Sequence, residues 1–257
     1  MIHQTAIIDP HAGIGSDVEI GPYCVIGANV QIGDGCVLKS HVVIDGHTKI
    51  GKNNTFYPFA AIGQQTQDLK YQGEPTYLEI GDSNVFRENV TIHRGTTAEL
   101  PTRIGNHNYF LCYSHVAHDC QVGDHCILSN NATLAGHVEV YDYAIISGLT
   151  PIHQFARVGE HAMVGGFSRV SQDTVPFMML EGSPAVHRGL NVVGLQRRGF
   201  ADEDIRCLKV AYRKLFLKKD LNLGKQLDEL KTLPEAENKC VQRVIEFIES
   251  SPRGVCR

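Results

Sequence analysis

From Ile8 onward an apolar side chain returns at every sixth position, through Ile14, Ile20, Ile26, Ile32, Leu38, Ile44, Ile50 and Phe56 to Ile62. The register resumes at Ile80, Phe86 and Ile92, and again from Ile104 to Val170, so its phase survives two interruptions. A helix buries side chains at a spacing of about 3.6 and a half-buried strand at about 2. A period of six fits neither and implies short strands joined by tight corners. Small residues sit two positions before the apolar one, and glycine often follows it, as at Gly15, Gly21, Gly27, Gly33, Gly51, Gly63, Gly81, Gly105, Gly123, Gly159 and Gly165. Glycine is expected to serve the corners, where it adopts backbone angles closed to other residues. An array of this kind builds a parallel β-helix, each rung burying its apolar column on the next.

The pattern resembles the left-handed β-helix of the hexapeptide acyltransferase superfamily, in which three hexapeptides close one triangular turn of about 18 residues. The handedness comes from the resemblance; the general preference for right-handed crossovers points the other way. Two polar segments, 64–79 and 95–103, leave the array, and loops on a rigid scaffold are well placed to carry binding residues. Beyond Val170 the repeat fades through Asp173, Pro176 and Gly182-Ser183-Pro184. Asp202 is then expected to cap a helix carrying Ile205, Leu208, Tyr212 and Leu215. Leu227, Leu230 and Leu233 predict a second helix ending before Pro234, and Val241, Val244, Ile245 and Ile248 a third. The expected organisation is mainly β: a left-handed parallel β-helix over 1–190, then a C-terminal α-helical domain over 191–257 that hides the open sheet edge.

With 257 residues the chain can bury a full core. A net charge of -4 argues against nucleic acid as a partner. Met1-Ile2-His3-Gln4 has no basic stretch leading into an apolar run, and no segment approaches membrane-spanning length. The expectation is a cytoplasmic protein that is not integral to a membrane. Of eight cysteines, Cys24, Cys36, Cys120 and Cys126 fall at the small-residue phase. They are expected to be core residues rather than half-cystines, which suits a reducing compartment.

The chemistry concentrates between His115 and His137. With about 18 residues to a turn, positions that far apart stack at about 4.8 Å. His118, Gly136 and Gln154 then share one column and Asp119 and His137 the next, with His153 beside Gln154. None falls at a buried phase, so all are expected to face outward. Three readings of this strip stand open on the residues alone. His118 is a general base whose tautomer Asp119 fixes; or His115, His118 and His137 hold zinc at an open three-ligand site; or the histidines are ordinary polar groups on an assembly scaffold.

Longer motifs favour the first. Leu38-Lys39-Ser40-His41-Val42-Val43, Gln67-Asp68-Leu69-Lys70-Tyr71 with Gly73-Glu74-Pro75, Val90-Thr91-Ile92-His93-Arg94-Gly95, the two histidine motifs, Ile152-His153-Gln154-Phe155 and Leu195-Gln196-Arg197-Arg198-Gly199-Phe200 occur in order along the chain. Together they resemble the acyl-(acyl-carrier-protein)–UDP-N-acetylglucosamine O-acyltransferases, which open lipid A synthesis. The resemblance implies His118 as general base on the glucosamine 3-hydroxyl, Asp119 as its orienting acid, and the Gly136 N–H as oxyanion donor. It implies that Gln67, Asp68 and Lys70 contact the sugar and its surroundings, and that His115, His137, His153 and Gln154 line the cleft. Asn191, Arg197 and Arg198 would hold the nucleotide, although Val193 stands where the family often has a glutamate. Gly166 matches a position that acts as a hydrocarbon ruler, which implies a donor of about fourteen carbons. The same resemblance implies a homotrimer with clefts shared between neighbours, no metal, and no cofactor beyond the 4'-phosphopantetheine carried by acyl carrier protein. Arg197, Arg198, Arg206, Arg213, Lys214, Lys218 and Lys219 form a basic region suited to that acidic partner.

Overall fold

In the computed structural model, which describes residues 1–217 and 222–257, the hexapeptides wrap three parallel sheets into a prism. The first face holds eight strands from Ile7–Ile8 to Pro151–Ile152, and the second eight from Gly13–Ile14 to Arg157–Val158. The third holds ten, from Glu19–Ile20 to Met178–Glu181 and the antiparallel Val186–Leu190. Most strands are two residues long, because each six-residue unit spends the remainder on a corner. We call the corner between the first and second faces the first edge, that between the second and third the second edge, and that between the third and first the third edge.

Neighbouring rungs are 18 residues apart, as for Asn108 and Cys126. The spacing is 30 from Asn54 to Asn84, across the longer loop, and 24 from Asn84 to Asn108, across the shorter. Each insertion therefore adds whole hexapeptides, which is why the apolar phase survives it. Phe56, Phe86 and Phe110 stack inside the prism with centroids 4.7 and 5.0 Å apart, and none is exposed. Beside them Asn54 Nδ2 donates to the Gly81 carbonyl, while its Oδ1 accepts the Asn84 N–H; Asn84 and Asn108 continue the ladder. Cys24, Cys36, Cys120 and Cys126 are free thiols at this same small phase, fully buried.

The glycines do a different job from the one expected. Among those following the apolar position only Gly63 has positive φ; the left-handed corner sites hold Asp17, Tyr23, His41, Asp119, His137 and their equivalents instead. A Cβ on Gly21 would stand 2.6 Å from the Lys39 carbonyl oxygen of the next rung. The glycine is there because successive backbones approach too closely for a side chain.

At the C-terminal end the helices are α1 (Val192–Arg197), α2 (Asp202–Tyr212), α3 (Leu223–Lys231) and α4 (Lys239–Glu249). Asp202 is the first residue of α2 rather than its cap; Ala201 takes that position and makes no side-chain cap bond. Beyond Tyr212 the chain continues into a π-helical turn, Arg213–Leu217. Asn222 and Asn238 cap α3 and α4. Arg157 ties the prism to α4, donating to Asp173 Oδ2 at 2.7 Å and to the Phe247 carbonyl at 3.0 Å, with its guanidinium over the Phe247 ring. The hairpin of Met178–Glu181 and Val186–Leu190 adds the final strand of the third face, an element that the fading repeat concealed.

Candidate active site

Both loops leave the prism at the first edge. The longer joins Ala61–Gln64 to Tyr77–Ile80, and the shorter joins Thr91–His93 to Thr102–Ile104. The following rungs bring His118 and Asp119, then Gly136 and His137, then His153, Gln154 and Phe155 to this edge.

His118 Nδ1 lies 2.6 Å from Asp119 Oδ2. Asp119 Oδ1 accepts the Thr96 backbone N–H at 2.9 Å, and the Asp119 N–H donates to Thr102 Oγ1 at 2.8 Å. The shorter loop thus folds over the carboxylate and leaves it 2% exposed, whereas the repeat alone had it facing solvent. Burial by itself raises a carboxyl pKa, but the His118 and Thr96 hydrogen bonds and the two imidazoles hold Asp119 below its ordinary value. An ionised carboxylate only accepts hydrogen bonds. The proton of neutral His118 therefore sits on Nδ1, and Nε2 keeps its lone pair.

That nitrogen lies against Gly136. A Cβ at this glycine would stand 2.5 Å from Nε2 and also press on Cε1, so no larger residue fits beneath the ring. At the second edge the equivalent backbone N–H is taken by a side chain of the next rung: Ser16 donates to Asp34, Lys52 to Asp82, Asp82 to Asn106 and Asp124 to Asp142. The Gly136 N–H meets no such acceptor among the described residues. A proton acceptor and an uncommitted donor are therefore side by side.

His137 Nε2 is 3.4 Å from Asp119 Oδ2, and its ring stacks on Phe155 at 4.5 Å. Burial lowers its pKa, Asp119 opposes this, and Asp68 and Lys70 act on it with opposite signs, so the longer loop brings both charges close. His115 Nδ1 bonds to Thr91 Oγ1 at 2.7 Å, and its ring meets His93 edge-on at 4.8 Å. Burial pushes buried His93 down to about 4. Among the described residues the group able to converge on a metal ion is His118, Asp119 and His137, within 4.8 Å of one another, rather than the three-imidazole set weighed above. Gln67 and Lys70 are exposed on the longer loop, while His153 and Gln154 are exposed one rung beyond Gly136.

The remaining candidates lie elsewhere in the same chain. Asn191 is buried, caps α1 through Gly194 N and donates to the His161 carbonyl at the second edge. Arg198 stacks over Tyr143, also at the second edge, with exposed Arg197 beside it. Gly166 is at the third edge, next to Phe167, which is 76% exposed. A groove of about 720 Å³ along the second face, lined by Glu79, Arg103, Gln121 and Glu139 among others, contains none of these groups. The basic region is partly neutralised: Arg206 pairs with Glu203 and Lys214 with Glu229, while Lys218 and Lys219 lie outside the described residues. Thr96 and Thr102 were missed as site residues, since nothing in the spacing says which part of a loop meets Asp119.

Prism and edge define a hexapeptide-repeat transferase, and the family model for the bacterial transferase hexapeptide (six repeats) matches residues 1–32 and 101–136. The model for domain 2 of UDP N-acetylglucosamine O-acyltransferase matches 173–256, and the acyl-(acyl-carrier-protein)–UDP-N-acetylglucosamine O-acyltransferase of Akkermansia muciniphila is 55% identical over 99% of this chain and 98% of its own length. The chain belongs to the acyl-(acyl-carrier-protein)–UDP-N-acetylglucosamine O-acyltransferase family and is an O-acyltransferase, a left-handed parallel β-helix with a smaller helical part. Solved structures agree. The UDP-N-acetylglucosamine acyltransferase of Bacteroides fragilis 9343 superposes with a TM-score of 0.93 at 40% identity over 100% of both chains. The UDP-N-acetylglucosamine O-acyltransferase of Moraxella catarrhalis RH4 does so at 0.93 and 47%, covering 100% of this chain and 99% of that one. No helix among the described residues is long and apolar enough to cross a membrane.

Proposed function

We propose that the chain transfers an (R)-3-hydroxyacyl group from acyl carrier protein to the 3-hydroxyl of UDP-N-acetylglucosamine, the first step of lipid A biosynthesis. One observation carries the mechanism: His118 Nδ1 is held at 2.6 Å by the Asp119 carboxylate, and the other side of the ring lies on Gly136. The sugar hydroxyl gives its proton to Nε2 as its oxygen attacks the thioester carbonyl. The new oxyanion accepts the Gly136 N–H, and Asp119 stabilises the imidazolium. The C–S bond then breaks, and the pantetheine sulfur leaves with the proton from Nε2. No metal enters this sequence, and stoichiometric zinc in active protein would contradict it.

Gln67, Asp68 and Lys70 on the longer loop, with His115, His137, His153 and Gln154 on the rungs, are assigned to the sugar and cleft walls. Arg197 and Arg198 are assigned to the diphosphate, for which a guanidinium fork is suited. Asn191 has both ends of its side chain engaged within its own chain, so its share in nucleotide binding requires exchange of those bonds. The arginines and Gly166 lie on edges other than that of His118. A cleft holding all of them must include a neighbouring chain, which is the physical support for a homotrimer with shared sites. The protein is assigned to the cytoplasm, a reducing compartment that suits its free cysteines.

Gly166 presents no side chain toward a hydrocarbon, so the preferred donor is assigned a length of about fourteen carbons. Purified protein given UDP-N-acetylglucosamine and hydroxyacyl carrier proteins of graded length should form the 3-O-ester with that preference. No ester would contradict the reaction, and a clear preference for about ten carbons would contradict the ruler alone.

A further inference from the structure

The two loops at the first edge touch through buried hydroxyls. Thr66, at the start of the longer loop, and Thr96, in the shorter, are 4% and 6% exposed, with their Oγ1 atoms 3.1 Å apart. Thr66 Oγ1 also accepts the backbone N–H of Asp68, and the Asp68 carboxylate accepts that of Lys70. On the other side the Thr96 N–H holds Asp119 Oδ1, and Asp119 holds His118. An unbroken chain of hydrogen bonds thus runs from the Asp68–Lys70 turn to the imidazole.

The segment Arg94–Thr96 fixes this chain at its base. Arg94 Nη1 donates to the Gly63 carbonyl at 2.7 Å and Nε to Thr76 Oγ1 at 3.4 Å, so one guanidinium grips both ends of the longer loop. A Cβ on Gly95 would meet Asp119 Oδ1 at 2.9 Å and crowd the Leu100 carbonyl, so the segment must pass the carboxylate with backbone alone. The contact between the two buried hydroxyls is also directional and is lost if either loop shifts.

We propose that Thr66 and Thr96 are positioning residues that couple the longer loop to the His118–Asp119 pair, so that seating the sugar nucleotide on the loop sets the orientation of the base. The proposal rests on the reading of His118 as that base. A shift of an ångström or less at Asp119 moves Nε2 relative to the attacking hydroxyl, and misplacements of that size are costly in rate. Arg94 holds the frame against which the two loops move together.

The test is a double-mutant cycle with Thr66→Val and Thr96→Val, which remove the hydroxyls and retain shape and the Thr96 N–H. Each single variant should lower kcat about 10-fold and raise KM for the sugar nucleotide, with the thermal midpoint little changed. The double variant should be no worse than the poorer single, and Thr→Ser at either position should restore most of the rate. Multiplying losses in the double variant, or wild-type kcat in both singles, would overturn the coupling. His118→Ala assayed beside them separates the two ideas: activity retained there sinks the base assignment, while activity lost there with multiplying threonine effects sinks only the coupling.

Discussion

Asp119 stays ionised although it is almost fully covered, because each carboxylate oxygen accepts a hydrogen bond: Oδ1 from Thr96 N–H and Oδ2 from His118 Nδ1–H. Replacing it by asparagine keeps an acceptor for Thr96 but turns an N–H toward His118, which reverses the tautomer and removes the lone pair from Nε2. Asp119→Asn should therefore lose at least about 100-fold in kcat with little change in KM, and an essentially wild-type kcat in steady-state kinetics would refute the tautomer argument. Gly136 is the complementary case. Its missing Cβ is what lets the His118 ring lie where it does, so Gly136→Ala should expel the ring and cost about 100-fold or more in rate while circular dichroism shows the rungs intact. Nothing comparable is expected at Gly165, where the nearest atom would be 3.2 Å away.

At the level of elements the rungs stack because side chains of one kind recur inside at the same height. Phe86 is sandwiched between Phe56 and Phe110 at 4.7 and 5.0 Å, in the rungs flanking the two insertions. Phe86→Ala should cost about 3–5 kcal/mol of stability, measured by denaturant unfolding, and a loss below about 1 kcal/mol would mean that the neighbours collapse into the gap. The hexapeptide phase made the prism, its core column and the His118–Gly136 stacking legible before any coordinates. It also implies the separation of Gly166 from His118, which does not fall a whole number of 18-residue turns away, whereas Arg198 ends helix α1 beyond the repeat and its place is not set by that phase. The burial of Asp119 was not legible, because it depends on the path of a loop that obeys no period. Nor was the hairpin at Met178–Glu181, whose strands pair antiparallel and so break the repeat that would have announced them. Asp202 suits a cap by its type, yet the helix starts a residue earlier, with its acidic first turn of Asp202, Glu203 and Asp204 meeting the helix dipole instead.

Across the whole molecule, acid should unfold the chain through its histidines. His93, His161 and His187 are buried, and burial pushes each down to about 4 from an ordinary 6.5. Between those values the unfolded chain binds protons that the folded one excludes, so stability falls as pH drops from 6.5 toward 4; below that the histidine contribution levels off, while Asp119, held below its ordinary value, carries the loss further. Each histidine contributes a slope of about 1.4 kcal/mol per pH unit within its window. Thermal midpoints recorded across it should decline steeply, and a flat profile would mean that these rings are solvated when the protein is folded. The distribution of the candidate groups over three edges makes a second demand on the whole: sedimentation should give a trimer, and a fully active monomer would contradict the shared cleft. The most direct measurement concerns His118 itself. The rate of 3-O-ester formation from UDP-N-acetylglucosamine and hydroxyacyl carrier protein by the His118→Ala variant, folded and assembled as the parent, should fall by at least about 1000-fold; a variant that keeps most of its rate would show that the proton goes elsewhere.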